Sequence, residues 1–233
     1  MEKIILIVAL LFCAMPALTF AALKKSRPKI GVIVVDVQGD FTAARDGSLA
    51  VEGTDRAFID KIEKATATLS RKGHLIFATQ DWHPPDHVSF YTNHSGTKPF
   101  DVIQVNGRTQ VLWPPHCVQN TKNAKVLLDN KIFQAIVKKG MDKRFDSYSG
   151  FKDDGGAATE MDQVLKEFGI RELLIYGIAT DYCVKATAID AAEAGYNVTV
   201  IEGLCKGVTP GITAIALQEV KDRGIKVEKA LRA

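Results

Sequence analysis

Cys183 closes the run Gly177-Ile178-Ala179-Thr180-Asp181-Tyr182-Cys183, where an apolar strand pattern gives way to a polar turn and then to a helical pattern. A thiol at such a junction meets unpaired backbone N–H groups and the positive end of a helix dipole. Both favour a thiolate and a developing oxyanion. A thiol near its free pKa still needs a base, and no histidine lies near it in sequence. Asp36, just past the apolar run Lys29 to Val35, is the candidate for taking the proton, with Lys143 as the ammonium beside both. Read this way, Asp36, Lys143 and Cys183 form a triad for nucleophilic catalysis.

A second group is suited to a metal. In Asp81-Trp82-His83 alternate side chains of an extended segment point the same way, offering a carboxylate and an imidazole to one ion. His116 or His87 supplies the third ligand. Two histidines and a carboxylate leave coordination positions open, as a catalytic site requires, and the set admits zinc, iron or manganese. The same triplet also occurs in non-haem iron oxygenases, but those need a dioxygen cavity and a cosubstrate rather than a Cys, Asp and Lys group.

Each residue also has an ordinary use. An Asp after a strand is usually a turn cap, a Lys a solvated surface group and a Cys a small core filler. What reverses that reading is convergence, because several strand ends deliver a carboxylate, a metal-ligand pair, an ammonium and a thiol to one edge.

The elements that must position them alternate along the chain. Lys29 to Asp36 is apolar at nearly every position, as suits a central parallel strand covered on both faces. Thr54 is placed to cap a helix carrying Phe58, Ile59, Ile62, Ala65 and Leu69 and stopping at Gly73, and His74 to Thr79 is the next strand. Strands then follow at 133–138, 172–178, 197–202 and 225–228, with helices at 157–168, 181–194 and 209–223. This pattern predicts an α/β fold, a three-layer α/β/α sandwich with a mainly parallel, doubly wound sheet. In such sheets ligands bind beyond the carboxyl ends of the strands, where the four chemical groups fall. The exception is Gln80 to Lys122, rich in Pro, His, Asn and Gly, with little sustained periodicity and too long for an idle loop.

Composition sets the outer limits. With 233 residues at 46% hydrophobic content there is material for one large core and a single catalytic domain over residues 29–233. A net charge of only +3, with Lys and Arg scattered among Asp and Glu, excludes the footprint of a nucleic-acid binder and favours a small-molecule substrate. Residues 1–22 read as a signal peptide: Lys3, an apolar run, Pro16, and small residues ending near Ala21, implying export to a periplasm. The competing reading is an uncleaved membrane anchor over residues 4–23, with Lys24, Lys25 and Arg27 beyond it. Cys13 lies in the leader, and Cys117, Cys183 and Cys205 are an odd set without CxxC spacing, so no disulfide framework is expected. In an oxidising compartment, Cys117 beside His116 is the thiol that would threaten Cys183.

Taken together the motifs resemble the nicotinamidases of the isochorismatase-like cysteine hydrolase superfamily. The matching pieces are the segments 35–41, 81–90, 113–118, 146–151 and 179–184, in register over nearly all of the chain beyond the leader. The resemblance implies that Asp36, Lys143 and Cys183 form the triad and that Asp81, His83 and His116 bind one divalent metal ion, zinc first, with iron or manganese as alternatives. It places His87 close by as an additional ligand in some members. It further implies that Phe41, Trp113 and Tyr148 wall the substrate pocket, and that a cis peptide between Ile178 and Ala179 directs the Ala179 N–H, with that of Cys183, into an oxyanion hole.

The activity so implied is hydrolysis of nicotinamide to nicotinate and ammonia through a cysteine thioester, serving NAD salvage, with pyrazinamide as a further substrate. The alternative is a related cysteine amidase acting on another small carboxamide. No nucleic acid or membrane partner is expected for the mature domain, and a homo-oligomer is left open. One departure is Gly39, where relatives commonly carry Asn, from which altered local packing rather than lost activity is expected. The other is the leader.

Overall fold

The structure is a computed structural model that describes residues 29–105 and 107–231. The leader, its cleavage point and the competing anchor therefore lie outside the described residues. Among those described, no helix is long and apolar enough to cross a membrane.

In chain order the elements are β1 (Lys29–Val35), α1 (Arg56–Arg71), β2 (Leu75–Asp81), β3 (Val102–Val105), β4 (Arg108–Val111), β5 (Ala135–Lys139), α2 (Met161–Glu167), β6 (Ile170–Gly177), α3 (Lys185–Glu193), β7 (Asn197–Ile201), α4 (Pro210–Asp222) and β8 (Lys226–Glu228). Six strands form one sheet in the order β5-β2-β1-β6-β7-β8, and every pairing in it is parallel. Helices cover both faces, giving the expected three-layer sandwich. That cover explains the unbroken apolar runs: Val32 to Val35 and most of β6 are buried whichever way their side chains point.

The strand order also sets the site. From β1 the chain winds outward through β2 to β5, then crosses to β6 on the other side of β1 and winds outward through β7 to β8. β1 and β6 thus flank the switch point, where neighbouring loops diverge and leave a crevice beyond the carboxyl ends.

Three boundaries differ from the sequence expectation, each for a local reason. Helix α1 is capped by Asp55, whose carboxylate accepts from Phe58 N at 2.9 Å. The Thr54 hydroxyl is fully buried and committed elsewhere, accepting from Ala43 N and donating to Val51 O. Helix α2 begins at Met161 instead of Ala157, because the preceding residues are tied to the loop before them. Lys152 bridges Ala158, and the Thr159 hydroxyl donates to Gly150 O. Helix α3 begins at Lys185, since Thr180 to Val184 form one wider π turn, a local unwinding common at functional sites.

The segment 80–122 contains an antiparallel hairpin of β3 and β4 that the sequence reading did not find. The signal was there: Asn106-Gly107 between the short runs 102–105 and 108–111 is a two-residue hairpin turn pattern. Each run has only four residues, too few for its alternation to stand out.

Candidate active site

Four strand ends build the site. Asp36 follows β1, Asp81 ends β2, Lys139 ends β5, and Cys183 sits in the π turn after β6. Asp36 is fully buried and adopts a left-handed backbone (φ 47°). Thr79 on β2 fixes it: the Asp36 N–H donates to Thr79 Oγ1 at 3.1 Å, and that hydroxyl donates back to Asp36 Oδ1 at 2.6 Å. The other oxygen, Oδ2, is buried without a hydrogen bond but lies 3.0 Å from Lys139 Nζ.

Lys139 connects the whole group. Its ammonium donates to Asp81 Oδ1 at 2.5 Å, to Ser147 O at 2.7 Å and to Cys183 Sγ at 3.6 Å, besides pairing with Asp36. Lys143, the lysine expected in this place, is elsewhere: its side chain is 61% exposed and pairs with Asp86 at 2.7 Å on the surface. The physical reason is the end of β5. The strand runs one residue further than the sequence pattern suggested, to Lys139, and the chain then turns away through Gly140 in a left-handed conformation (φ 64°). Strand alternation separates the two adjacent lysines: Lys138 lies over the Trp82 ring at 4.3 Å, while Lys139 enters the site.

The electrostatics favour a resting thiol. Burial pushes the Cys183 pKa well above the ordinary range, with Lys139 opposing and Asp36 and Asp81 reinforcing the rise. The helix-end environment was expected to favour a thiolate, but burial outweighs it. Burial also raises the Asp36 carboxyl against the pull of Lys139. Asp81 is held low: burial would raise it, but Lys139 and His83 more than offset that. For Lys139 burial works downward, and the Asp36 and Asp81 carboxylates carry the ammonium well above the usual lysine range. The result is an unionised thiol beside a carboxylate of enhanced basicity, with the ammonium locked on.

Asp81, His83 and His116 present ligand atoms that all lie within 4.8 Å of one another, and all three residues are buried. His83 Nδ1 donates to Gly140 O at 2.9 Å and His116 Nδ1 donates to Pro114 O at 2.7 Å. These bonds fix both tautomers with the Nε2 lone pair free. His83 Nε2 is a buried nitrogen without a hydrogen-bond partner, 3.4 Å from Asp81 Oδ2. Burial lowers the His83 pKa but the Asp81 carboxylate more than offsets it, a pull that a divalent ion at Asp81 would oppose. Burial, reinforced by His83, pushes His116 down to about 4, so its imidazole is neutral and competent to ligate. The residues therefore fit a divalent ion.

His87 does not join them. Its ring lies 4.3 Å from that of His83, but Nδ1 faces Ser89 Oγ at 2.8 Å and Nε2 donates to Phe145 O at 3.1 Å. Both nitrogens are engaged, so the histidine expected as a further ligand instead buttresses the loop.

Above these groups opens a cavity of about 250 Å³ lined by Cys183, Ala179, Asp81 and His116 and by the aromatic rings of Phe41, Trp113 and Tyr148. All three expected wall residues are thus at the cavity, as is Ala179, whose peptide bond with Ile178 is cis. Trp113 Nε1 donates to the Tyr148 hydroxyl at 3.2 Å, tying two walls together. Phe100, Tyr182 and Leu49 also line the space and were not singled out from sequence. Tyr182 was legible as the neighbour of Cys183, but Phe100 and Leu49 lie in loops with no pattern of their own.

Two further expectations concern the surroundings. A Cβ on Gly39 would lie 2.8 Å from the Asn123 Cα, so backbone packs where a side chain would stand. Cys117, Cys183 and Cys205 are all free and buried, and the Cys117 N–H donates to Asp40 Oδ2 at 2.7 Å.

The sequence matches the isochorismatase domain over residues 31–230. It is 43% identical over 206 residues to a nicotinamidase of Acinetobacter baylyi, covering 87% of this chain and 93% of that protein. Among solved structures, a nicotinamidase/pyrazinamidase of Acinetobacter baumanii superposes with a TM-score of 0.79 at 37% identity, covering 88% of this chain and 97% of that one. A pyrazinamidase of Pyrococcus horikoshii in complex with zinc superposes with a TM-score of 0.71 at 36% identity, covering 86% and 98%.

Proposed function

The chain belongs to the isochorismatase family, and from that premise we propose that it is a metal-dependent nicotinamidase, hydrolysing nicotinamide to nicotinate and ammonia. The observation that carries the reading is the position of Lys139, which joins the Asp36 carboxylate and the Cys183 thiol on one side to the Asp81 metal ligand on the other. This arrangement lies under a cavity walled by aromatic rings, which suits a flat heteroaromatic amide.

In the proposed reaction Asp36 takes the Cys183 thiol proton and the sulfur adds to the carboxamide carbon. Backbone N–H groups of Ala179 and Cys183 stabilise the tetrahedral oxyanion. The C–N bond then breaks, ammonia leaves with the proton held by Asp36, and a thioester remains. Asp36 next accepts a proton from water as that water adds to the thioester carbonyl, and the C–S bond breaks to release nicotinate and restore the thiol. Lys139 keeps Asp36 ionised and within reach of the sulfur. Phe41, Trp113 and Tyr148 hold the ring with its carboxamide over Cys183, and placement of this kind accounts for several kcal/mol of a barrier, roughly 7 to 11 at its limit. Asp81, His83 and His116 would hold a divalent ion, zinc by analogy with the P. horikoshii relative, which would supply a Lewis-acid site at the cavity floor.

The test is ammonia release from nicotinamide and from a panel of amides, before and after chelation. Turnover of nicotinamide that chelation abolishes and zinc restores supports the proposal; preference for aliphatic carboxamides defeats it. Pyrazinamide belongs in the panel because two of the relatives carry it in their names. Nicotinate production implies a role in NAD salvage. Export through a leader over residues 1–22 is part of the same reading, and mass measurement of protein from a periplasmic fraction checks it: a mature chain beginning near Ala22 is expected.

A further inference from the structure

At the mouth of the cavity, Phe100 holds a position that the fold does not explain. It is 59% exposed and adopts φ 70°, a left-handed conformation that costs an aromatic L-residue about 1 to 2 kcal/mol. Glycine takes such angles freely, as Gly107 does at φ 77° in the hairpin that follows. Neither core burial nor backbone preference therefore accounts for a phenylalanine here. Its N–H donates to Leu112 O at 2.6 Å, and the Asp101 carboxylate accepts from Lys98 N at 2.9 Å, so the chain entering β3 is pinned in this geometry. The ring meets Trp113 edge-on, with centroids 6.0 Å apart at 86°. Trp113 in turn meets Tyr182 edge-on at 5.1 Å, extending the aromatic wall toward the buried Cys183.

The cavity thus runs from a buried floor at Asp81, His116 and Cys183 to an exposed mouth lined by Phe100 and by Val208, itself 40% exposed. An exposed aromatic kept in an unfavourable backbone conformation over such a cavity is best accounted for by contact with what enters it. We propose that Phe100 is a specificity-determining residue, closing the mouth over a single planar ring and excluding substituted rings. The proposal rests on the nicotinamidase reading and adds the element that limits substrate size.

The experiment measures kcat, KM and Tm for Phe100→Gly and Phe100→Tyr, with nicotinamide and each ring-methylated nicotinamide as substrates. For Phe100→Gly the expected result is a KM for nicotinamide raised about tenfold, with kcat within about twofold. Relative kcat/KM for at least one methylated ring should rise about tenfold, and Tm should be unchanged or higher, since glycine suits the backbone. Phe100→Tyr should restore both KM and selectivity. An unchanged KM and unchanged selectivity in folded Phe100→Gly overturns the proposal, as does a fall in kcat that parallels a fall in Tm. A wild-type protein without nicotinamide turnover defeats the functional reading by itself. In that event benzamide binding, followed by tryptophan fluorescence, decides the role of Phe100: a tenfold loss of affinity in Phe100→Gly supports it and equal affinity overturns it.

Discussion

Asp81 and Lys139 are Cα partners across the parallel pairing of β2 with β5, and their side chains meet in a buried ion pair at 2.5 Å. The carboxylate of the candidate metal group is in direct contact with the ammonium that also contacts Asp36 and Cys183. The two chemical groups, read separately from sequence, are thus joined by the hydrogen-bonded register of two adjacent strands.

The first prediction separates the two lysines. Lys139→Ala leaves Asp36 and Asp81 buried without their counterion, a change that costs about 3 to 5 kcal/mol and removes nearly all amidase activity. Lys143→Ala breaks only a surface pair with Asp86 and should leave kcat/KM within about twofold of wild type. Equal losses in the two variants would return Lys143 to the triad.

The second concerns the ion. Alanine at Asp81, His83 or His116 should each reduce bound metal, counted by elemental analysis of the dialysed protein, to well below one per chain. His87→Asn should retain it, because both His87 nitrogens already have protein partners. Metal lost from the His87 variant as fully as from the other three would make it a ligand after all.

The third tests the support behind a ligand. At Gly140, φ is 64° and a Cβ would lie 2.3 Å from His83 Cε1, while its carbonyl oxygen fixes the His83 tautomer. Gly140→Ala must displace either the ring or the loop, with a loss of about tenfold to a hundredfold in metal affinity expected. Titration of the apo-protein with zinc reads this directly, and an affinity equal to wild type would show that the ring has room to move.

The fourth concerns pH. The proposed first step needs Asp36 ionised and Cys183 protonated, and burial raises both groups. As pH falls, Asp36 gains its proton and the base is lost, so kcat/KM should decline along an acid limb centred above the ordinary carboxylate range. The midpoint belongs to the coupled pair rather than to one residue. A profile between pH 4 and 9 that stays level on its acid side would sink the assignment of Asp36 as base.

The last prediction concerns the nucleophile. Cys183→Ala should abolish turnover while leaving metal content unchanged, since the sulfur is outside the Asp81, His83 and His116 group. Asp36, Asp81 and Cys183 also lie close enough together to hold an ion, but the Lys139 ammonium already stands among them. Substantial residual amidase activity in that variant would refute the thioester route.

Local pattern was enough to read most of the layout. A buried parallel strand needs an apolar run, and an amphipathic helix needs its 3.6-residue spacing, so β1, β2, β6, β7 and the helices α1, α3 and α4 were legible to within a few residues. Asp36, Asp81, His83, His116 and Cys183 were legible because each adjoins such an element or carries a motif. The ends were less so, because capping depends on which hydroxyl is free. Thr54 was spent on Val51 and Ala43, leaving the helix to Asp55.

What the tertiary structure alone decided is which lysine lies against Asp36 and Cys183, what the His87 nitrogens contact, and which aromatic rings line the cavity. Lys139 and Asp81 are separated by 58 residues, and His87 and Phe145 likewise. Residue type does not distinguish Lys139 from Lys143, since both are lysines just beyond the apolar run that marks the strand in the sequence. The distinction comes from strand register. A shift of one residue in β5 would turn Lys139 outward and Lys138 inward, and only the pairing with β2 excludes that shift.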